Sequence, residues 1–213
     1  MDLNDQRREY RGIPLEVEAM PDCPVVAFKE WYEMAKQREV LESNAMSLAT
    51  VDAAGRPAIR TVLLKYFDPD GFVFFTNYQS RKARHIESNP EVALLFQWLE
   101  MERQIEINGA IEKVSLMESV KYFSKRPRES QLGAWISEQS TVVPTKDLLK
   151  SKLANYVKKF ATGTIPKPEH WGGYRIIPRR YEFWQGGPGR IHDRIEYLPC
   201  AETNQWRRGR LSP

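Results

Sequence analysis

Four short segments of the 213-residue sequence carry side chains suited to holding anions. In the run from Arg60 to Lys65 (RTVLLK), strand alternation puts Arg60 on one face with Val62 and Leu64, and Lys65 on the other with Thr61 and Leu63. At roughly 3.3 Å per residue the two cations stand about 17 Å apart. That is too far to share one small anion, so two separate anions fit better; two strand ends in solvent are the plainer alternative. Between Thr76 and Lys82 a strand passes into a helix that Ser80 can cap. The free N–H groups of a helix start attract phosphate, and the hydroxyls of Thr76 and Ser80 with the cations Arg81 and Lys82 would complete such a site. A capped surface helix is the alternative, but cations in its first turn would oppose the helix dipole. Tyr122 and Arg126, four residues apart, meet on one helix face, and Pro127 breaks that helix before Ser130. Phenol, guanidinium and hydroxyl could clamp a phosphate there; a plain helix–turn–helix has the same pattern. The fourth segment, EFWQGGPGRIHDR (182–194), contains a tight Gly/Pro turn. If residues 190–195 form a strand, Arg190, His192 and Arg194 share a face, where two guanidiniums beside an imidazole repel unless a polar ligand lies over them. Trp184 offers a planar wall ahead of the turn; a solvated edge strand is the alternative.

The elements that must position these groups are mostly strands. Residues 45–52, 58–68, 72–78, 91–100 and 103–115 are rich in β-branched and aromatic side chains and are separated by turn residues, which predicts consecutive hairpins. A short helix over 80–89 interrupts them. Ahead of them, residues 24–42 follow Asp22, a plausible N-cap, and place Phe28, Trp31 and Ala35 on one helical stripe. Helices return at 116–126, near 130–136 and over 145–161, then a Pro/Gly-rich connector at 162–172 leads to strands at 174–178, 179–185 and 190–198. The expected organisation is an N-terminal arm (1–21) and a single domain (22–213) with helical insertions at 116–161 and C-terminal strands within 174–213. The fold class is mainly β with peripheral helices (α+β), a β-barrel with added helices.

Composition narrows the function classes. The hydrophobic share of 41% suits a packed core, and no apolar run approaches the roughly 18–20 residues of a membrane span. The polar start of the sequence argues against secretion. Two cysteines far apart and three histidines predict neither a disulfide framework nor a metal site, which fits a reducing cytoplasm. A net charge of +4 allows nucleic acid, an anionic membrane or small anionic ligands. Nucleic-acid binding calls for aromatics on an exposed face, whereas Phe72, Phe74 and Phe75 lie in an apolar run that reads as core. No nucleic acid and no membrane partner is expected.

Taken together, RTVLLK (60–65), FTNYQSRK (75–82), ERQIEINGAIEKVS (102–115), YFSKRPRESQLGAW (122–135), SEQS (137–140) and EFWQGGPGRIHDR (182–194) resemble the pyridoxine/pyridoxamine 5′-phosphate oxidase family over nearly the whole chain. The resemblance implies an FMN-binding split β-barrel acting as a homodimer, with each FMN in the subunit interface touching both chains. It implies oxidation of pyridoxine 5′-phosphate and pyridoxamine 5′-phosphate to pyridoxal 5′-phosphate, with dioxygen as acceptor. By position, the flavin site would comprise Arg60, Thr61, Val62, Leu63, Leu64, Lys65, Phe75, Thr76, Arg81 and Lys82, with Gln104, Gln139, Ser140, Trp184 and Arg194. Lys65, Tyr122, Arg126 and Ser130 would clamp the substrate phosphate. Arg190 and His192 would surround the substrate ring as the catalytic pair, and Arg7, Arg8, Glu9 and Tyr10 would belong to an arm closing over it. The sequence departs from the family at Phe75, often tyrosine in relatives, and at Thr61, often aliphatic. A phenazine-pathway flavin oxidase on the same barrel is the nearest rival and is expected to lack either the clamp or the Arg190/His192 pair.

Overall fold

The computed structural model describes residues 9–203 and 205–213. Its strands pair antiparallel in one sheet of order β2-β1-β5-β6-β7-β4-β3, with β8 added on β7 and β9 on β8. The first hairpin joins β1 (Ala45–Val51) to β2 (Pro57–Leu63). Its turn is held by the Asp52 carboxylate, which accepts from the N–H groups of Ala54 and Arg56, each at 2.9 Å. The strand expected over 58–68 breaks at Leu64, whose side chain turns into the core at 4% exposure. Past that break β3 (Tyr66–Asp68) pairs with β4 (Gly71–Asn77) through a turn closed on Asp68. Gly71 is required there: φ is +138°, and a Cβ would lie 2.0 Å from the Ile176 carbonyl oxygen.

After α2 (Arg81–Ser88), β5 (Glu91–Trp98) pairs with β1 and with β6 (Arg103–Lys113). The two strands expected over 174–178 and 179–185 are one, β7 (Trp171–Gln185). Pro178, which has no N–H to give a ladder, sits where the β6–β7 register shifts at Asn108/Gly109. One edge of β7 follows β6, while the other divides: residues 171–176 pair with β4 and 181–185 with β8 (Asp193–Cys200). The sheet therefore forks at β7, and β9 (Gln205–Leu211) extends the second branch. The strand expected over 190–198 begins only at Asp193. Gly189 and Arg190 have φ of +61° and +65°, and the Ile191 N–H bonds to the Pro188 carbonyl, so the chain is still turning.

The helix expected over 24–42 is shorter: α1 runs Pro24–Gln37, with Cys23 rather than Asp22 at the N-cap and Pro24 in its first turn. It stops because Glu39 takes φ +54°, and the N–H groups of Glu39 and Val40 return to the carbonyls of Lys36 and Ala35 in a Schellman cap. The expected stripe of Phe28, Trp31 and Ala35 is buried in the curl of the sheet. Phe28 meets Phe67, Phe72 and Phe96 edge-on at centroid distances of 4.8, 4.8 and 4.9 Å, and Trp31 meets Phe183 at 5.1 Å. A second apolar cluster joins α3 (Leu116–Ser124), α4 (Arg128–Ile136) and α5 (Lys146–Lys159) to the start of β7 through Phe123, Leu132, Phe160 and Trp171. No helix of the described residues is long and apolar enough to cross a membrane. Because Phe28 is fully buried at the centre of the larger core, Phe28→Ala is expected to cost about 3–5 kcal/mol of stability. Denaturant unfolding checks this, and a loss below about 1 kcal/mol would contradict the packing role.

Candidate active site

A cavity of about 910 Å³ opens between β2, the end of β4, the start of α2 and the α3–α4 corner. Six cations line it, Arg60, Lys65, Arg81, Lys82, Lys125 and Arg126, and no carboxylate does among the described residues. Like charges so gathered repel, and Arg60, Lys65, Lys82 and Arg126 also lose solvent, which makes the cavity a site for anions.

The cations fall into two groups. At the β4–α2 turn, Ser80 caps α2 by accepting from the Ala83 N–H, and this brings Lys82 inward at 8% exposure. The Lys82 ammonium donates to Thr76 Oγ1 at 3.1 Å and to Gln139 Oε1 at 3.2 Å. Burial pushes its pKa down to about 8, and the Arg60 charge adds to the shift. Arg60 is itself lowered, first by burial and then by Arg81. One edge of the Arg60 guanidinium is fixed: Nη1 donates to the Leu48 carbonyl at 3.0 Å and to Thr50 Oγ1 at 2.7 Å. Its Nη2 is buried with no hydrogen-bond partner.

The second group lies at the other side of the cavity. Lys65 is lowered by partial burial and then by Arg126, and Arg126 by burial. Arg126 lies 4.6 Å over the ring of Trp171, and its Nη1 is likewise buried without a partner. The rings of Phe75, Tyr122 and Trp171 are near-parallel, with Phe75 3.9 Å from Tyr122 and 5.3 Å from Trp171. This stack holds the corner of α3 that carries Tyr122 and Arg126. Burial raises the Tyr122 phenol, with Arg126 opposing it. Two buried guanidinium nitrogens with nothing to donate to, one in each group, fit phosphate groups such as that of FMN.

Of the residues singled out in the sequence, Thr61, Val62, Leu63, Phe75, Thr76, Tyr122, Ser130, Gln139 and Ser140 also line this cavity. Arg60 and Lys65, which strict alternation would put on opposite faces, reach the same cavity because the strand breaks between them at Leu64. Leu64 is in the core instead. Lys125 went unnoticed in the sequence, although it lies three residues after Tyr122 and so on the same helical face.

Gln104, Trp184, Arg190, His192 and Arg194 do not line this cavity; Gln104, Trp184, His192 and Arg194 form a second cluster. Gln104 on β6 lies opposite Trp184 on β7, which lies opposite Arg194 on β8. The His192 ring is 4.9 Å from Trp184, and its Nδ1 accepts from the Gly187 N–H at 3.2 Å. Tyr10 packs edge-on against both rings, at 5.5 Å from Trp184 and 5.4 Å from His192. Arg190 is exposed, as is Glu9; Arg7 and Arg8 lie outside the described residues. The expected face of Arg190, His192 and Arg194 is not formed, since Arg190 precedes the strand. Arg194 turns instead to Glu182, with Nε donating to Oε1 at 2.7 Å and Nη2 to Oε2 at 3.1 Å. Glu182 is 5% exposed and also receives Arg180 at 2.7 Å. This buried carboxylate was missed, although Arg180 two residues before it on the same strand face was a signal; its bond to Arg194 comes from the β7–β8 register.

Comparison with known proteins agrees with the chemistry of the cavity. The family model described as pyridoxamine 5′-phosphate oxidase matches residues 33–158, and that of the pyridoxine 5′-phosphate oxidase C-terminal dimerisation region matches residues 171–213. The pyridoxine/pyridoxamine 5′-phosphate oxidases of Crocosphaera subtropica and Rippkaea orientalis are each 53% identical to this chain, over 100% of both partners in each comparison. Among solved structures, PhzG from Burkholderia lata in complex with tetrahydrophenazine-1-carboxylic acid superposes with a TM-score of 0.89 at 27% identity, covering 97% of this chain and 100% of that one. A pyridoxamine 5′-phosphate oxidase-related, FMN-binding protein from Nostoc punctiforme shares the fold, with a TM-score of 0.69 at 16% identity over 94% of this chain and 100% of that one. This chain belongs to the pyridoxine/pyridoxamine 5′-phosphate oxidase family of FMN-dependent split-barrel enzymes.

Proposed function

We propose that the cavity holds two phosphorylated rings, and that the catalytic site is completed only when a second copy of the chain brings its Trp184–His192 cluster against it. The reaction is the FMN-dependent oxidation of pyridoxine 5′-phosphate and pyridoxamine 5′-phosphate to pyridoxal 5′-phosphate. FMN, when bound, supplies the acceptor for the two electrons leaving C4′, and dioxygen takes them on as hydrogen peroxide; the amine substrate also releases ammonia.

The observation that carries this reading is the division of six cations into two groups, each with an unpartnered guanidinium nitrogen. Arg60, Arg81 and Lys82, with Thr76 and Ser80 at the α2 start, hold the FMN phosphate. Gln139 and Ser140 approach from the loop after α4, and Thr61, Val62, Leu63 and Phe75 face the flavin. Lys65, Tyr122, Arg126 and Ser130 hold the substrate phosphate, and Lys125 adds charge beside them. A cavity of 910 Å³ is near the top of the range for ligand pockets, about 300–1,000 Å³, as two ring systems require. Binding energy from the remote phosphate is then available to align C4′.

Within one chain the second cluster stands apart from the cavity, yet the family is homodimeric and its dimerisation region matches β7, β8 and β9, where that cluster sits. The partner subunit's Gln104, Trp184 and Arg194 therefore complete the flavin site. The partner subunit's Arg190 and His192 lie over the substrate ring and stabilise charge at C4′. Tyr10, already packed on Trp184 and His192, places the arm at the mouth of the same site.

The charge of Lys82 gives a pH dependence. Its pKa of about 8 in the FMN-free protein means that the ammonium is lost as pH rises through that value, while a bound dianion favours keeping the proton. FMN affinity, followed by quenching of flavin fluorescence on adding FMN-free protein, is expected to fall above pH 8 by up to about tenfold per pH unit until the ligated pKa is reached. Lys82→Met should bind more weakly and lose that slope; an identical slope in the variant would assign the proton elsewhere. The composite site is tested with mixed dimers of Lys82→Met and Arg190→Ala subunits. Each parent is expected to be nearly inactive at limiting FMN, whereas the mixed dimer regains one intact site. Absence of any recovery would place the whole site within one subunit.

A further inference from the structure

His85 lies on α2, one turn beyond Arg81 and Lys82, and plays no part in the reading above. It is buried at 9% exposure, and its Nδ1 stands 3.2 Å from Oγ1 of Thr50, a residue of β1 with no exposure at all. The same hydroxyl oxygen is 2.7 Å from Nη1 of Arg60 on β2. A guanidinium only donates, so Thr50 accepts from Arg60. The hydroxyl keeps one hydrogen and a second lone pair, and with either it bonds to Nδ1 of His85.

The relay spans three elements. It fixes the Nη1 edge of Arg60, which the Leu48 carbonyl also holds, and so sets the guanidinium of a residue that lines the cavity. It also ties α2, which carries Lys82, to the strand that steadies Arg60. Two mutually repelling cations are thus held at a common point from opposite sides, with His85 connecting the supports.

We propose that His85 is a positioning residue for the flavin phosphate: through Thr50 it orients Arg60 and registers α2 against β1, so that Arg60 and Lys82 converge on one anion. This deepens the reading of the cavity and rests on the assignment of Arg60 to FMN.

The test measures FMN dissociation constants by fluorescence quenching on FMN-free protein, so that turnover is not involved. His85→Leu and Thr50→Val, which break the relay at different links, are each expected to weaken FMN binding about fivefold to tenfold, the scale of one ordinary hydrogen bond. His85→Asn, whose amide keeps a hydrogen-bonding group near the place of Nδ1, should recover to within about twofold of the parent. Adding His85→Leu to Arg60→Met should cost less than His85→Leu alone, since only the registration of α2 then remains to be lost. The inference is overturned if Arg60→Met weakens binding while His85→Leu and Thr50→Val do not. It is also overturned if His85→Leu costs as much in the Arg60→Met background as alone, or if His85→Asn binds as weakly as His85→Leu. Wild-type FMN affinity in Arg60→Met would instead remove the assignment of Arg60 to FMN, and the inference with it.

Discussion

Positive charges that have been brought together and partly dried, with no carboxylate beside them, are the constraint on which the rest of this structure depends. Arg60 and Arg126 each bury a guanidinium nitrogen that finds no hydrogen-bond partner among the described residues, and Lys82 is desolvated enough to pull its pKa down to about 8. Such an arrangement costs stability in the free protein and repays it on binding an anion, because the ligand restores the missing interactions. Two other cations of the sheet are treated differently: Arg180 is ringed by Glu106, Glu182 and Glu196, and Arg194 is held by Glu182. The fold supplies counter-ions to these two and withholds them at the cavity.

Holding repelling groups in place requires stiff supports, and Arg60, Lys82 and Arg126 each have one. The guanidinium of Arg60 is pinned by a backbone carbonyl and a buried threonine hydroxyl. Lys82 is placed by a capped helix and bridged to Gln139, while the Asn77 side chain holds the Ser137 carbonyl at 2.8 Å and so docks the following loop. Arg126 rests on Trp171, the first residue of β7, and the Phe75–Tyr122 stack fixes the helix behind it. The fork in β7 relates the two halves of the chemistry: one branch begins beneath the cavity, and the other carries Trp184 opposite Gln104 and Arg194.

Much of the cavity was legible in the sequence because its geometry is local. The Ser80 cap, the four-residue spacing of Tyr122 and Arg126, and the break at Pro127 fix side-chain directions within one or two turns. Strand alternation said that Arg60 and Lys65 serve different anions, and their separate cation groups accord with that, but it erred on the faces. It could not register the apolar pull on Leu64 that breaks the strand and returns Lys65 to the same cavity. Alternation failed more fully at 190–194, where left-handed Gly189 and Arg190 delay the strand until Asp193. β9 carries charged residues and a glycine with no clean apolar alternation, so only its pairing with β8 identifies it. The Glu182–Arg194 pair and the Thr50–His85 contact depend on how separate elements pack together, which no spacing rule contains. The family assignment draws on all the segments at once, which is why it survives errors in individual strands.

The central claim is that one cavity holds two phosphate dianions on two different sets of cations. Phosphorus NMR of the FMN-loaded protein titrated with pyridoxal 5′-phosphate tests it directly. The expected result is two distinct bound signals, with Lys65→Met moving or broadening the pyridoxal phosphate signal and leaving that of FMN in place. A pyridoxal phosphate signal that stays at its free position, or a Lys65→Met variant that disturbs the FMN signal alone, would contradict the account.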